Sequence, residues 1–438
     1  MALNVQCGTI TQPGATGNQT TNLPSGFDPK ALILWATPQA SDAVSTSIDA
    51  CFSMGFATYR GGGAQGGYCV YYADDANTTA VNARGIDTTA VLKLFSAGVT
   101  PTVDAQASFV SFGSGASSNF VLNWTNLHTT ASILVNYLVL GGSDITDALV
   151  FMFNLAAGAT QDVTVASGFG QPDLLFFATD GALSGTGGDS ATSPMPVFGV
   201  AKSDTERFCV MFNDEDAAGT MLCAGWAKQR ALLGVTPTTQ AAEFEADLSA
   251  KASWPTDGFQ FSYADQTANT NPVICLALKG SFTSKVGFTT ATAGSTSAVD
   301  VDHGVTPQGA FYWGVGGAGT AETLNTSSTS LGSIGLGAYD GTNQVCASTG
   351  NDDAAGVANC FTNRDSAKAM TICEAAGWGA EATGAFSGTN ARLTWDGNIQ
   401  QTVRFGVLTL SDAPASDTSL NMDLFDRRTP RRRTLQRI

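Results

Sequence analysis

The sequence predicts an all-β protein: three tandem homologous β-sandwich, jelly-roll-like domains followed by a basic C-terminal tail. Three observations predict it. The 438 residues include 49 glycines, and short apolar runs alternate with clusters of Gly, Asn, Asp, Ser and Pro, which is the punctuation of strands and turns. An apolar run closing on two glycines, SILVNYLVLGG (132–142), has counterparts in NPVICLALKG (271–280) and RFGVLTLSD (404–412). Other short runs recur between these in one fixed order, the signature of an internal repeat.

The recurring elements begin with a turn and strand, SGFDPKALILW (25–35), SGFGQPDLLFF (167–177) and HGVTPQGAFYW (303–313). Gly26, Gly168 and Gly304 stand where the turn calls for a positive φ. A glycine-centred strand follows as FSMGFA (52–57), PVFGVA (196–201) and SIGLGA (333–338). Next come YCVYYADDAN (68–77), FCVMFNDEDAAG (208–219) and VCASTGNDDAAG (345–356). A late alternating strand reads NFVLNWT (119–125), GFQFSY (258–263) and ARLTW (391–395). In the first of these, Phe120, Leu122 and Trp124 share one face. The closing strand is apolar at nearly every position, as expected of a strand covered on both sides. AAEFEADLSAKA (241–252) could be a short helix, but its counterpart DAQASFVSFGSG is a strand and it is read as one.

The spacing is steady. Trp35, Phe177 and Trp313 are 142 and 136 residues apart, and Cys69, Cys209 and Cys346 are 140 and 137 apart. The expected divisions are 1–142, 143–280, 281–411 and a tail at 412–438. No Pro-rich linker separates them, which favours a compact pseudo-threefold arrangement over a row.

Charge divides the chain differently. The formal net charge is −16, yet the last twelve residues hold Arg427, Arg428, Arg431, Arg432, Arg433 and Arg437 and no acid, which leaves −22 on the remainder. An acidic body is a poor partner for nucleic acid. Guanidinium groups bind carboxylates in bidentate fashion, so the tail is expected to anchor the chain to an acidic protein surface. The N-terminal MALNVQCGTI lacks the pattern of a secretory signal, and the most apolar stretch is broken by GGSD. The expectation is a soluble protein made in the cytoplasm, without a membrane segment.

No catalytic constellation stands out. There are two histidines, His128 in a loop and His303 at a turn position, with no G-x-S-x-G, HExxH, P-loop or Rossmann motif. The chain is expected not to be an enzyme and to need no cofactor. The acidic turns invite calcium, but none matches an EF-hand loop and they read as solvated hairpin tips, so no metal is expected. Cys209 and Cys223 enclose thirteen residues, as do Cys346 and Cys360, with Asp216 and Asp353 at the midpoints. Hairpins turning there would bring each pair opposite, close enough for a disulfide formed once the protein leaves the cytoplasm. Cys51 and Cys69 form the candidate pair in the first repeat. The alternative is buried free thiols acting as small hydrophobes.

GNQTTNLPSGFDPKALILW, ASFVSFGSGASSNFVLNWTN and ILVNYLVLGG resemble a repeat of tailed-phage virion proteins, in which "GFxPKA", "GFxLNWT" and "YLALGG" strands follow one another. The late and closing strands also look like the H-type lectin fold, a sandwich that assembles in threes. The resemblance implies a virion structural protein, a capsid decoration or tail accessory subunit present in many copies or as a homo-oligomer, bound to other virion proteins through its arginine tail. The alternative is a lectin-like adhesin of the tail that binds a host surface glycan. It supplies no catalytic residue.

Overall fold

The computed structural model describes residues 3–47, 49–73, 82–96, 102–129, 132–181, 188–190, 193–214, 223–236, 241–265, 270–316, 331–352, 360–374, 378–400 and 402–413. Among the described residues the fold is almost entirely β, with strands arranged in six sheets. Three are large, with seven, six and seven strands, and each alternates along the chain with a four-stranded sheet.

The first large sheet has the order Asn4–Thr11, Leu134–Gly141, Pro29–Ala36, Asp49–Thr58, Gln65–Ala73, Ala83–Asp87 and Gly188–Ser190. The second has Ile145–Asn154, Pro272–Gly280, Leu174–Thr179, Val197–Ala201, Arg207–Asp214 and Cys223–Lys228. The third has Thr283–Ala291, Val403–Ser411, Gly309–Gly316, Leu331–Tyr339, Gln344–Asp352, Cys360–Asp365 and Ala43–Ser47. All pairings are antiparallel. Ala43–Ser47 and Gly188–Ser190 are visitors from another stretch of chain. With these set aside, each large sheet follows one rule: first strand, last, third, fourth, fifth, sixth. Each small sheet takes the second, ninth, eighth and seventh.

Burial explains the unbroken apolar strands. On Pro29–Ala36, Ile33 and Trp35 enter a core shared by all three large sheets, while Leu32 and Leu34 enter a core beneath the first small sheet. A strand covered on both faces has no solvent side on which to place polar residues. Phe311 lies at the centre of the shared core, with ring centroids 5.5 Å from Trp35, 6.5 Å from Phe176 and 5.6 Å from Phe198. The outer sheets do alternate: Phe120, Leu122 and Trp124 are buried and the residues between them half-buried. Residues 242–248 form a strand, followed by a 3₁₀ turn at 251–253.

Gly26, Gly168 and Gly304 have φ of 81°, 74° and 83°, as their turns require. Gly55, Gly199 and Gly337 answer a different demand. A Cβ at these positions would overlap the carbonyl oxygens of Val91, Ala231 and Ala369, where the small sheet begins to cross the large one.

The equivalence of Trp35, Phe177 and Trp313 needs correction. The second stretch carries one more residue between its turn and its strand, with Gly170 also at positive φ (78°), and Phe177 consequently points into the outer core. Ala178 lies on the axial face with Trp35 and Trp313. A slip of one residue changes the face.

Candidate functional site

The large sheets meet around an axis, and their register defines its two ends. Asn4 and Pro29 both pair with Gly141, Ile145 pairs with Gly280, and Thr283 with Ser411. The starts and ends of all three chain stretches therefore gather at one end, here called the junction end. The Leu3 amide donates to Asp412 Oδ1 at 2.7 Å, and the Ala413 amide donates to Asp144 Oδ2 at 2.8 Å. Strands of eight residues at about 3.3 Å per residue put the opposite, distal end about 26 Å away.

Contacts between neighbouring stretches follow the axis round. At the junction end, the turn after the fourth large-sheet strand reaches the next stretch. Arg60 pairs with Asp147 and lies over the Phe169 ring. Lys202 Nζ donates to Ser284 O at 2.7 Å, and Glu206 accepts from the Val286 amide at 3.2 Å. Asp340 accepts from the Cys7 amide at 3.1 Å, closing the circle. Strand addition runs the other way: Ala43–Ser47 pairs with Cys360–Arg364, and Gly188–Ser190 with Arg84–Ile86. The corresponding connection of the third stretch, 317–330, falls outside the described residues. Buried Arg364 fastens one of these joints through Asp42, Thr9 and Asn136.

The two hairpin cysteine pairs are not opposed. Cys209 faces Lys228 while Cys223 faces Asp214, and Cys346 faces Asp365 while Cys360 faces Asn351. Each pair is thus offset by five positions, about 16 Å along the strand, far beyond disulfide reach. Cys209 enters the second outer core and Cys223 the axial core. The described strand register is not centred on the cysteine midpoints, and equal spacing from an acidic cluster says nothing of register.

Cys51 and Cys69 do meet, diagonally across their strands with Sγ atoms 3.2 Å apart, and both are free, as are all nine buried cysteines. Burial, then the hydrogen bond with Cys51, holds the Cys69 thiol well above its ordinary pKa. Native protein is expected to react negligibly with a water-soluble disulfide reagent and to titrate nine thiols when unfolded without reductant. A count of seven, with the linked peptide mapped to Cys51 and Cys69, would show a disulfide formed between them.

His303 occupies its predicted turn yet is buried. Its Nε2 lies 3.1 Å from Ser411 Oγ and its Nδ1 meets the Thr409 hydroxyl. Burial first, then Lys202 and Lys285, lowers its pKa from 6.5 to about 4, against the pull of Glu206 and Asp302. The unfolded chain takes up the proton first. Stability due to neutral His303 is therefore intact above about pH 6.5 and is lost as the pH falls from there toward about 4. His303→Gln, which keeps partners for the hydroxyls, is expected to flatten that part of a denaturation-midpoint curve. An unchanged acid slope would count against this assignment. His128 Nε2 lies 3.3 Å from Asp104 Oδ2.

A groove of about 460 Å³ opens beside the junction-end turn of the first stretch, lined by Tyr59, Arg60, Gly63, Phe109, Val110 and Phe112. Tyr59 is 68% exposed, and Lys30 Nζ lies 5.6 Å from its ring centroid. Sequence reasoning missed this feature, because Tyr59 belongs to no repeated strand. Among the described residues there is no group of three His, Cys, Asp or Glu side chains placed to hold a metal, and no helix is long and apolar enough to cross a membrane. Most residues of the acidic turns, Asp216 and Asp353 included, and the arginines from Arg427 to Arg437 lie outside the described residues.

No family model and no curated protein matches the chain. Among solved structures it is similar to a viral major capsid protein, the STIV MCP, with 11% identity and a TM-score of 0.21, covering 63% of this chain and 96% of that one. OccK5 (OpdH) and OpdK with vanillate, both of Pseudomonas aeruginosa, align at 12% and 9% identity with TM-scores of 0.11 and 0.12. Each covers 88% of this chain and 99% of the other. The first is a weak structural link to a viral capsid protein, and at these scores none of the three carries an argument.

Proposed function

We propose that this chain is a structural protein of a bacteriophage particle, a capsid decoration or tail accessory subunit on the particle surface. Its virion partners would be bound through Arg427, Arg428, Arg431, Arg432, Arg433 and Arg437. In this reading the chain is three copies, at 1–142, 143–280 and 281–411, of one ten-stranded sandwich. The common strand order and the three glycine turns support that division. The observation that carries the structural role is the axial core: sheets from three stretches of chain share one apolar interior, with Phe311 touching side chains from all three. Such a body is rigid across its whole section. The repeat wording of the first stretch and the charge contrast between body and tail support the particle-bound role.

Counting copies in purified particles tests it. Hundreds per particle fit a decoration protein and a handful fit a tail subunit, whereas absence from washed particles would refute both. A second reading, the glycan-binding adhesin, draws on exposed Tyr59 beside its groove, since sugar rings stack on aromatic faces flanked by polar groups. Glycan-array binding abolished by Tyr59→Ala would favour it.

A further inference from the structure

The three places where one stretch meets the next are built alike and filled differently. In each, the connection after the fourth large-sheet strand meets the first strand of the following stretch. These connections span residues 59–64, 202–206 and 340–343, so they shorten from six residues to five to four. The longest lays the Arg60 guanidinium 5.5 Å from the centroid of the Phe169 ring and pairs it with Asp147. The next sends Lys202 Nζ to Ser284 O at 2.7 Å. The shortest, Asp-Gly-Thr-Asn, holds no basic residue, and its Asp340 carboxylate accepts from the Cys7 amide.

A groove of about 460 Å³ is left beside this shortest turn, between the third and first stretches. Leu3, Phe27, Pro307 and Phe386 line it together with Asp340 and Asp412. Phe27 follows a Ser-Gly pair just as Phe169 does, so the ring beneath Arg60 has its counterpart here. Among the described residues no Lys, Arg or His lines the groove, and Lys30, close to Phe27 in the chain, is held by Asp28 at 2.8 Å. Asp340 accepts from the amides of Cys7, Thr342 and Asn343 and from Asn343 Nδ2. Asp412 accepts from the Leu3 amide at 2.7 Å and from Gln308 Nε2. All of these donors are uncharged, and Asp144, which holds the Ala413 amide, adds a third carboxylate close by. Each Asp412 oxygen accepts one bond and has room for another. A cleft with apolar walls and charge of one sign concentrates the opposite sign.

We infer that this groove is a binding site for a flat organic cation, a guanidinium or amidinium group carried on an apolar body. The cation takes the place that Arg60 fills between the first and second stretches, with its plane over Phe27 and its N–H edge on Asp412. The apolar body lies against Leu3, Pro307 and Phe386. The protein supplies its own cation at two of the three meetings and takes one from outside at the third. This site does not depend on the anchoring role proposed for the tail.

Titration calorimetry of the full chain with benzamidinium chloride at low salt tests it, with neutral benzamide as the control. The expected result is one saturable site for benzamidinium and no heat of binding from benzamide. Asp412→Asn removes the charge but keeps an acceptor for the Leu3 amide, and is expected to weaken binding at least about tenfold. Ser25 is exposed and lines the groove, so Ser25→Arg places a competing guanidinium at its rim and is expected to weaken binding to a similar degree. That second variant keeps the test decisive if Asp412→Asn fails to fold. Absence of benzamidinium binding, equal binding of benzamide, or unchanged affinity in either folded variant would overturn the site.

Discussion

Phe311→Ala is expected to cost about 3–5 kcal/mol of stability and to cost it everywhere at once. The Phe311 ring lies against Trp35 from the first stretch, Phe176 and Phe198 from the second, and Trp313 from its own strand. Removing it opens a void bounded by rings from three sheets. Each is held by its own backbone ladder and cannot collapse inward, so the cavity penalty stays near the top of its range. The measurement is denaturant unfolding followed by tryptophan fluorescence and by circular dichroism. Both signals should move together to a lower midpoint. If one part of the transition moved while the rest stayed in place, the three large sheets would not share a core in the sense described.

Gly199→Ala is the second large effect. The added methyl would overlap the Ala231 carbonyl oxygen, and both partners are backbone held in the sheets, so no side chain can swing aside. Overpacking of this kind costs about 1–3 kcal/mol, occasionally more, and here the small sheet must lift from the large one. Gly55 and Gly337 occupy corresponding positions against Val91 and Ala369, so alanine at either should do comparable damage. Gly14 is the control, since a Cβ added there would meet nothing within 4 Å. Gly14→Ala should leave the unfolding midpoint where it was. Equal midpoints for Gly199→Ala and Gly14→Ala would mean that the sheets are not seated as closely as the geometry requires.

The strands themselves were legible because their physics is local. The closing strands announce two-sided burial by having no polar face, and NFVLNWT announces one-sided burial by alternating. The turns before the third strand of each stretch needed glycine for φ, and the sequence supplies it three times. What was not legible is relational. The cysteine spacing suggested a register, but register is set by the pairing of whole strands, which offsets Cys209 from Cys223 and Cys346 from Cys360 by five positions. One extra residue near Gly170 moved Phe177 to the other face, which an alignment by eye cannot register. Ala43–Ser47 reads as exposed polar loop; only the free edge of Cys360–Asp365, more than three hundred residues later, makes it a strand. Tyr59 was invisible for a related reason, because an exposed aromatic beside a groove is defined by what lies across from it. The arginine tail was legible as composition alone.

The circular contact pattern has a consequence for what happens when the backbone is severed. Ser143 is exposed between Gly142 and Asp144. The pieces on either side of it remain joined through Arg60 and Asp147, the Gly188–Ser190 ladder and the common interior. A protease that nicks the protein there would change its bands on a denaturing gel but not its elution from a sizing column. Covalent continuity and structural integrity are separate properties in this molecule, and the nicked form should persist as a single body until it is denatured.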